Sequence, residues 1–384
     1  MRVHASLPSR SRDFCGEAVA HQDTALRQVS KTFALTIPRL PEPLRIVVAN
    51  AYLLCRIADT IEDEPALPPA AKRSLEEAFL DAVTGRTRAA AFARHAQALL
   101  STQTPEAERA LLGRLPLVLW ITHALNPVQR SAIVRCLRVM TEGMCAFQQE
   151  ASPAGLTSLR ELDRYCYCVA GVVGEMLTEL IVDYEPALAP RRSQLLPASL
   201  SFGHGLQLAN ILKDQWEDRS RGICWLPQDV FAKHGVCLAE LQPGPQGPAY
   251  AAAQAQMIGL AHAYLYRAVD YALMMPARHA GIRDFILWSI GLALVGLRHL
   301  HACTGPSRGL NALSPRSEAA GAIFTAKLLA RHDIAVRCWF AAWSRPLPRA
   351  GRDGEWQAGL PASPHGPDYA PPLPVVPSSA EPEP

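Results

Sequence analysis

The sequence has no useful stretch in which apolar and polar residues alternate, so a half-buried strand is nowhere encoded. It has little net charge: 38 Lys and Arg against 35 Asp and Glu leave a formal +3. That excess is too small for a binder driven by phosphate neutralisation, and no nucleic-acid partner is expected. The ten cysteines include no C-x-x-C and no Cys/His cluster at zinc spacing. Most lie in apolar helical patterns, where the thiol behaves as a small hydrophobe, so reduced cysteines of a cytoplasmic protein are expected. No G-x-G-x-x-G follows a strand, which leaves no signature of a Rossmann domain. The first residues, MRVHASLPSRSRDFCGE, lack an apolar core of signal-peptide length. The longest apolar run, near Phe285–Leu297, is too short to cross a bilayer, so a buried helix is expected there.

What is present is apolar and helical. Apolar residues make up 49% of the chain, enough for a large core. Helical periodicity predicts helices at about Asp13–Val29, Leu44–Asp63, Pro127–Gln148, Leu159–Leu180, Ser199–Asp218, Ala249–Met275, Ile282–Cys303 and Ser317–Trp343. Proline-rich loops carrying Pro38, Pro41 and Pro43, and later Pro186, Pro190 and Pro197, separate them. The fold class is therefore all-α, a single large bundle of antiparallel helices around a central cavity, over residues 14–343. Residues 1–13 are expected to fray, and the proline-rich tail 344–384 to be disordered.

Two stretches concentrate chemistry. In Ala51–Asp63, AYLLCRIADTIED, Arg56, Asp59 and Asp63 fall at spacings of three and four. In Gln207–Asp218, QLANILKDQWED, Gln207, Asn210, Asp214 and Asp218 fall at spacings of three, four and four. At 3.6 residues per turn each set lines one helix face. A lone D-x-x-x-D is usually a solvated face. Two copies beside apolar residues, where an unpaired carboxylate is costly to desolvate, point instead to a ligand. Asn210 and Gln207 add neutral oxygen donors. Mg²⁺ takes one or two carboxylates, keeps waters and fills its shell with phosphate oxygens. A metal site at Asp59, Asp63, Asn210, Asp214 and Asp218, serving a diphosphate ester, is the expectation.

Neighbouring residues admit two readings each. Arg56 fits a salt bridge to Asp59 or Asp63, or bidentate capture of a diphosphate, with Tyr52 on the same face. Glu62 is about 100° off the Asp59–Asp63 face and reads as solvated or supporting. Gly171 and Gly174 each cost a helix about 1 kcal/mol relative to alanine, so they require either close helix contact or room for a long chain. Asp163, Arg164 and Glu161 read as surface charges, and Arg219 and Arg221 as phosphate or carboxylate partners. Tyr264, Tyr266, Tyr271 and Trp288 fit an apolar tunnel, with core packing the default at helical spacing.

YLLCRIADTIED and QLANILKDQWED resemble the two aspartate-rich motifs of the squalene/phytoene synthase family. So do SKTFALTIPRLP at Ser30–Pro41 and YCYCVAGVVGEMLTEL at Tyr165–Leu180, in the family's order, over roughly residues 14–340. The resemblance implies an isoprenoid synthase fold. It also implies Mg²⁺-dependent head-to-head condensation of two farnesyl diphosphates, through a cyclopropylcarbinyl diphosphate, to squalene with NADPH. Tyr165, which opens the Y-C-x-x-V-A-G motif, is by resemblance catalytic, and Lys31 in S-K-T-F contacts phosphate. Ser30, Phe33, Tyr52, Arg56, Gln207, Asn210 and Arg221 complete the implied diphosphate site. Ile223 departs from the family, many members of which have arginine there, and Arg221 is expected to replace it. Arg308 and Arg316, before the last helix, either bind the cofactor's phosphates or are solvated loop arginines. Phytoene, dehydrosqualene or hydroxysqualene formation without NADPH is the alternative within the family; a non-catalytic isoprenoid-binding paralogue is the alternative outside it. A polyprenyl substrate implies peripheral contact at the inner membrane face, while the tail does not resemble the transmembrane anchor of eukaryotic squalene synthases.

Overall fold

Prolines set the helix starts and stops around the first acidic stretch. The structure, a computed structural model, describes residues 9–244, 246–304 and 315–349. Helix α1 (Ser9–Val29) begins earlier than expected. Helix α2 (Glu42–Asp63) follows Pro41 and has Pro43 in its first turn, where a missing N–H leaves no hydrogen bond unmade. It ends at Glu64, which is extended because Pro65 disfavours a helical conformation in the residue before it. Thirteen of its 22 residues are buried, so α2 is a central strut. Helix α3 (Pro69–Val83) and three shorter helices, Ala89–Leu99, Glu106–Gly113 and Leu115–Ala124, cover the outer side of this half.

Helix α4 (Pro127–Glu150) opens with a capping box: Asn126 Oδ1 accepts from the Gln129 N–H at 2.9 Å, and the Gln129 side chain returns to the Asn126 N–H. Helix α5 (Leu159–Tyr184) widens into a π turn at Tyr167–Gly171. Helix α6 (Arg192–Ser220) carries the second acidic stretch. Helices α7 (Pro248–Met274) and α8 (Ala280–Thr304) buttress α6, and α9 (Pro315–Leu329) and α10 (Asp333–Ser344) lie outside α8. Among the described residues the fold is all-α, without a strand. An isolated bridge joins Leu156 to Pro227.

Two further boundaries differ from the sequence reading. Pro197 lies inside α6 and not in the preceding loop. It sits in the second turn, and both it and Ser193, whose carbonyl loses its partner, face solvent. The expected Ser317–Trp343 helix is two helices, broken at His332. The buried Arg283 guanidinium holds the break open, donating to the Ala330 carbonyl at 3.0 Å and to Asp333 Oδ1 at 2.7 Å. The helix expected at Ile282–Cys303 is present as α8, but its apolar stretch is longer than the Phe285–Leu297 run suggested. That stretch and Leu159–Tyr184 are long and apolar enough to cross a membrane, yet two-thirds of each apolar window is packed inside the protein.

Candidate active site

The last turns of α2 and α6 face one cavity of about 690 Å³, enclosed also by α4, α5 and the Ser30–Ile37 segment. Ser30, Lys31, Phe33, Tyr52, Arg56, Asp59, Asp63, Tyr165, Gln207, Asn210, Asp214, Asp218 and Arg221 all line it. Arg316 does not, being exposed at the start of α9, and Arg308 lies outside the described residues.

The two acidic faces come within reach of a single side chain. Arg221, which caps α6, donates to Asp63 Oδ1 at 2.6 Å and to Asp218 Oδ1 at 2.6 Å. Lys213 Nζ stands 3.2 Å from Asp214 Oδ2. Arg56 pairs with Glu108, and its guanidinium is 3.8 Å from Asp59 Oδ2. Thr60 donates to the other Glu108 oxygen at 3.0 Å, so Glu108 fixes Arg56 from behind. Sequence spacing had offered Asp59 or Asp63 as the partner of Arg56. The main partner is a residue 52 positions away that no local pattern could reveal.

These carboxylates are hard to charge unaided. Burial in the cavity wall pushes Asp59 up to about 7, with Arg56 pulling down and Asp63 adding to the rise. Burial likewise raises Asp218, against the two-way pull of Arg221. Glu62 is driven far upward by burial first and by Asp63 and Asp59 next. Acidic groups that repel one another in a half-dry cavity gain from a cation. No group of three or more His, Cys, Asp or Glu converges on one point among the described residues. The donors are instead pairs on opposing helices, which suits Mg²⁺ shared with waters and phosphate oxygens better than a closed protein cage.

Away from the carboxylates the cavity is aromatic and aliphatic. Ser30 Oγ accepts the Phe33 N–H at 2.9 Å, which fixes the turn that holds Lys31 at the mouth and Phe33 inside. Phe33 packs on Tyr52 at 5.0 Å and on Phe285 at 6.5 Å, and Phe285 meets Phe202 at 6.4 Å. Tyr165 is stacked on Trp225 at 4.2 Å and 12°, with Phe147 edge-on at 5.3 Å. Burial, then the nearby Glu62 carboxylate, raise the Tyr165 phenol well above its usual range, so it stays an O–H donor.

Several sequence readings need correction. Glu62 is neither solvated nor remote: it lines the cavity, because wall curvature admits residues beyond a single helix stripe. Arg219 is a brace and not a phosphate ligand, donating to the carbonyls of Pro153 at 3.1 Å and Leu241 at 3.0 Å. Asp163 is mostly buried, accepting from Tyr264 at 2.7 Å and lying 3.3 Å from His204 Nε2. Glu161 caps its own helix start by accepting from the Thr157 N–H at 2.6 Å. Gly174 serves helix contact: a Cβ there would stand 2.3 Å from the Ser199 carbonyl. Gly203 does the same from α6, 2.4 Å from the Ala170 carbonyl. The core-packing default holds for Tyr264 and Tyr271, Tyr266 is exposed, and the tunnel alternative fails for all of them and for Trp288, since none lines the cavity.

Trp225, Gln148, Lys213 and Glu217 line the cavity without having been singled out from the sequence. Trp225 had a signal, its place in the segment following the second acidic stretch. Its position is set by the bridge in which the Leu156 N–H donates to the Leu226 carbonyl at 3.0 Å.

A family model described as squalene/phytoene synthase matches residues 26–311. A squalene synthase of Botryococcus braunii is 30% identical over 226 residues, 56% of this chain and 44% of that protein. A phytoene synthase of Thermus thermophilus is 36% identical over 161 residues, 42% of this chain and 51% of that protein. The chain thus spans about half the length of the curated relatives it matches. Among solved structures, TcSQS in complex with the ligand BPH1237 superposes with a TM-score of 0.68 at 21% identity, over 90% of this chain and 95% of that one, a likeness of fold. The matched region contains all four motifs and every cavity residue named above, and the chain belongs to the squalene/phytoene synthase family.

Proposed function

We propose that this protein condenses two molecules of farnesyl diphosphate head to head, through a cyclopropylcarbinyl diphosphate, and carries the product on to squalene. The observation that supports this best is the convergence of two acidic helix faces and four cations, Lys31, Arg56, Lys213 and Arg221, on one apolar-walled cavity. Asp59, Asp63, Asn210, Asp214 and Asp218 would hold Mg²⁺, which when bound supplies Lewis-acid stabilisation of the departing diphosphate. Lys31, Arg56 and Arg221 bind the diphosphate oxygens, Arg221 exchanging its carboxylate partners for phosphate as ligand arrives. Tyr165 donates its O–H to the leaving group, since its proton is firmly held. Phe33, Tyr165 and Trp225 line the cavity, where aromatic π density would stabilise allylic cations. The aliphatic walls, including Met144, Met176 and Leu177, exclude water that would quench them.

Squalene as final product requires a hydride, and NADPH is the reductant in this reading. Arg316 stands outside the cavity and Arg308 lies outside the described residues, so neither arginine adds support for a cofactor site at the cavity. The likeness to a phytoene synthase supports a second reading, in which the last step is proton loss without a reductant. Product analysis with and without NADPH separates the two.

A further inference from the structure

Helix α9 presents an unusual outer face. At 100° per residue, Arg316, Phe324, Lys327 and Leu328 share an arc of about 120°, and Arg331 follows in the turn just after the helix. All five are exposed; Phe324 is 62% and Leu328 61% accessible, and Ile334, just beyond the helix, is 81% accessible. Large apolar side chains at this exposure cluster rarely on a surface that meets only water. No carboxylate shares the arc. Glu318, the one acid in the helix, turns inward to Arg298 at 3.5 Å, and Asp333 is engaged by Arg283 at 2.7 Å. The face is therefore apolar along one side, at Phe324 and Leu328, and cationic along the other, at Arg316 and Lys327 with Arg331 beyond, a pairing by which interfacial helices meet anionic lipid.

Its position adds to this. Helix α9 packs along α8. The Lys327 and Arg331 charges act on the buried Asp284 carboxyl, which holds Arg39 at 3.2 Å. The next residue, Phe285, lines the apolar part of the cavity. Leu35, 53% accessible, sits one turn before Arg39 in the segment that contributes Phe33 to the cavity. The exposed face thus lies one helix away from the cavity's aromatic lining.

We propose that the outer face of α9, with Ile334, docks the protein on an anionic phospholipid bilayer, Phe324, Leu328 and Ile334 entering the headgroup boundary and Arg316, Lys327 and Arg331 meeting lipid phosphates. This does not rest on the identity of the reaction, because vesicle binding is read without substrate. The test is co-sedimentation of the full chain with phosphatidylcholine vesicles and with vesicles containing one quarter phosphatidylglycerol, at low and high salt. Wild type is expected to bind the anionic vesicles, to release as salt rises, and to ignore phosphatidylcholine. The Phe324→Ser/Leu328→Ser double variant is expected to lose at least tenfold in bound fraction at unchanged melting temperature, and the Lys327→Gln/Arg331→Gln double variant to lose as much while keeping the helical circular-dichroism spectrum of the folded protein. No binding of wild type to anionic vesicles overturns the proposal, and so does binding that both variants retain. A wild-type dimer that the apolar variant dissociates, without vesicle binding, would assign the face to a second copy of the chain and overturn it equally.

Discussion

Tyr165→Phe removes one oxygen and leaves both ring contacts, the 4.2 Å stack on Trp225 and the 5.3 Å edge contact with Phe147. Ring packing is kept, so the variant should fold with a stability change below about 1 kcal/mol. What is lost is a donor. The phenol is held in its O–H form above all by burial, so in the proposed reaction its part is a hydrogen bond to the departing diphosphate. A hydrogen bond to a charged group is worth about 1.5–3 kcal/mol. At 1.36 kcal/mol per decade, that predicts a fall in kcat of about 10- to 150-fold. The bond strengthens as negative charge builds on the leaving oxygen, so kcat falls while KM changes little. Pyrophosphate release from farnesyl diphosphate at saturating Mg²⁺ measures both constants, and a melting curve checks the fold. A folded variant with wild-type kcat, or one in which KM alone rises, refutes the assigned role.

Arg221→Gln cuts the link between Asp63 and Asp218. With Arg221 39% accessible, each ion pair contributes at most about 1 kcal/mol, so scanning fluorimetry should show a small loss of stability without ligand, and KM for the diphosphate should rise. An unchanged KM would contradict phosphate binding by this residue. Gly203→Ala places a methyl 2.4 Å from the Ala170 carbonyl and should cost about 1–3 kcal/mol by urea unfolding; a neutral result would mean α5 and α6 are less tightly apposed than described. Glu76 is buried, accepts from Cys145 Sγ at 2.6 Å, and is raised by burial to about 7. Its folded form binds the proton more tightly than its unfolded form, so stability is lost as pH rises from about 4.5 to about 7. Glu76→Gln should therefore match wild type near pH 4.5 and exceed it at pH 8 by about 3 kcal/mol, as read by denaturant unfolding at the two pH values.

The parts of the site legible in the sequence are those where one helix decides. The 3.6-residue period alone aligns Asp59 with Asp63, and Asn210 with Asp214 and Asp218, and the structure turns both rows into one cavity. The all-α class follows from the same periodicity and from the missing alternation. The parts that were not legible depend on partners far along the chain. Arg56 is fixed by Glu108 from a different helix. Trp225 reaches Tyr165 because a single backbone bridge ties its loop to Leu156. The break between α9 and α10 answers to Arg283, some 50 positions upstream, and nothing in Ala330–Asp333 announces it. Gly174 gave a correct alarm and an ambiguous cause: only the opposing carbonyl of Ser199 assigns it to helix contact, while Gly203, which meets the Ala170 carbonyl, drew no notice in the sequence.

Incubation of the purified full chain with farnesyl diphosphate and Mg²⁺, with and without NADPH, followed by mass analysis of the extracted lipids, tests the central claim most directly. Squalene appearing only when NADPH is present is the predicted result. A C30 product formed equally without NADPH would contradict the reductive ending. No condensation product from farnesyl diphosphate under either condition would contradict the proposed reaction itself.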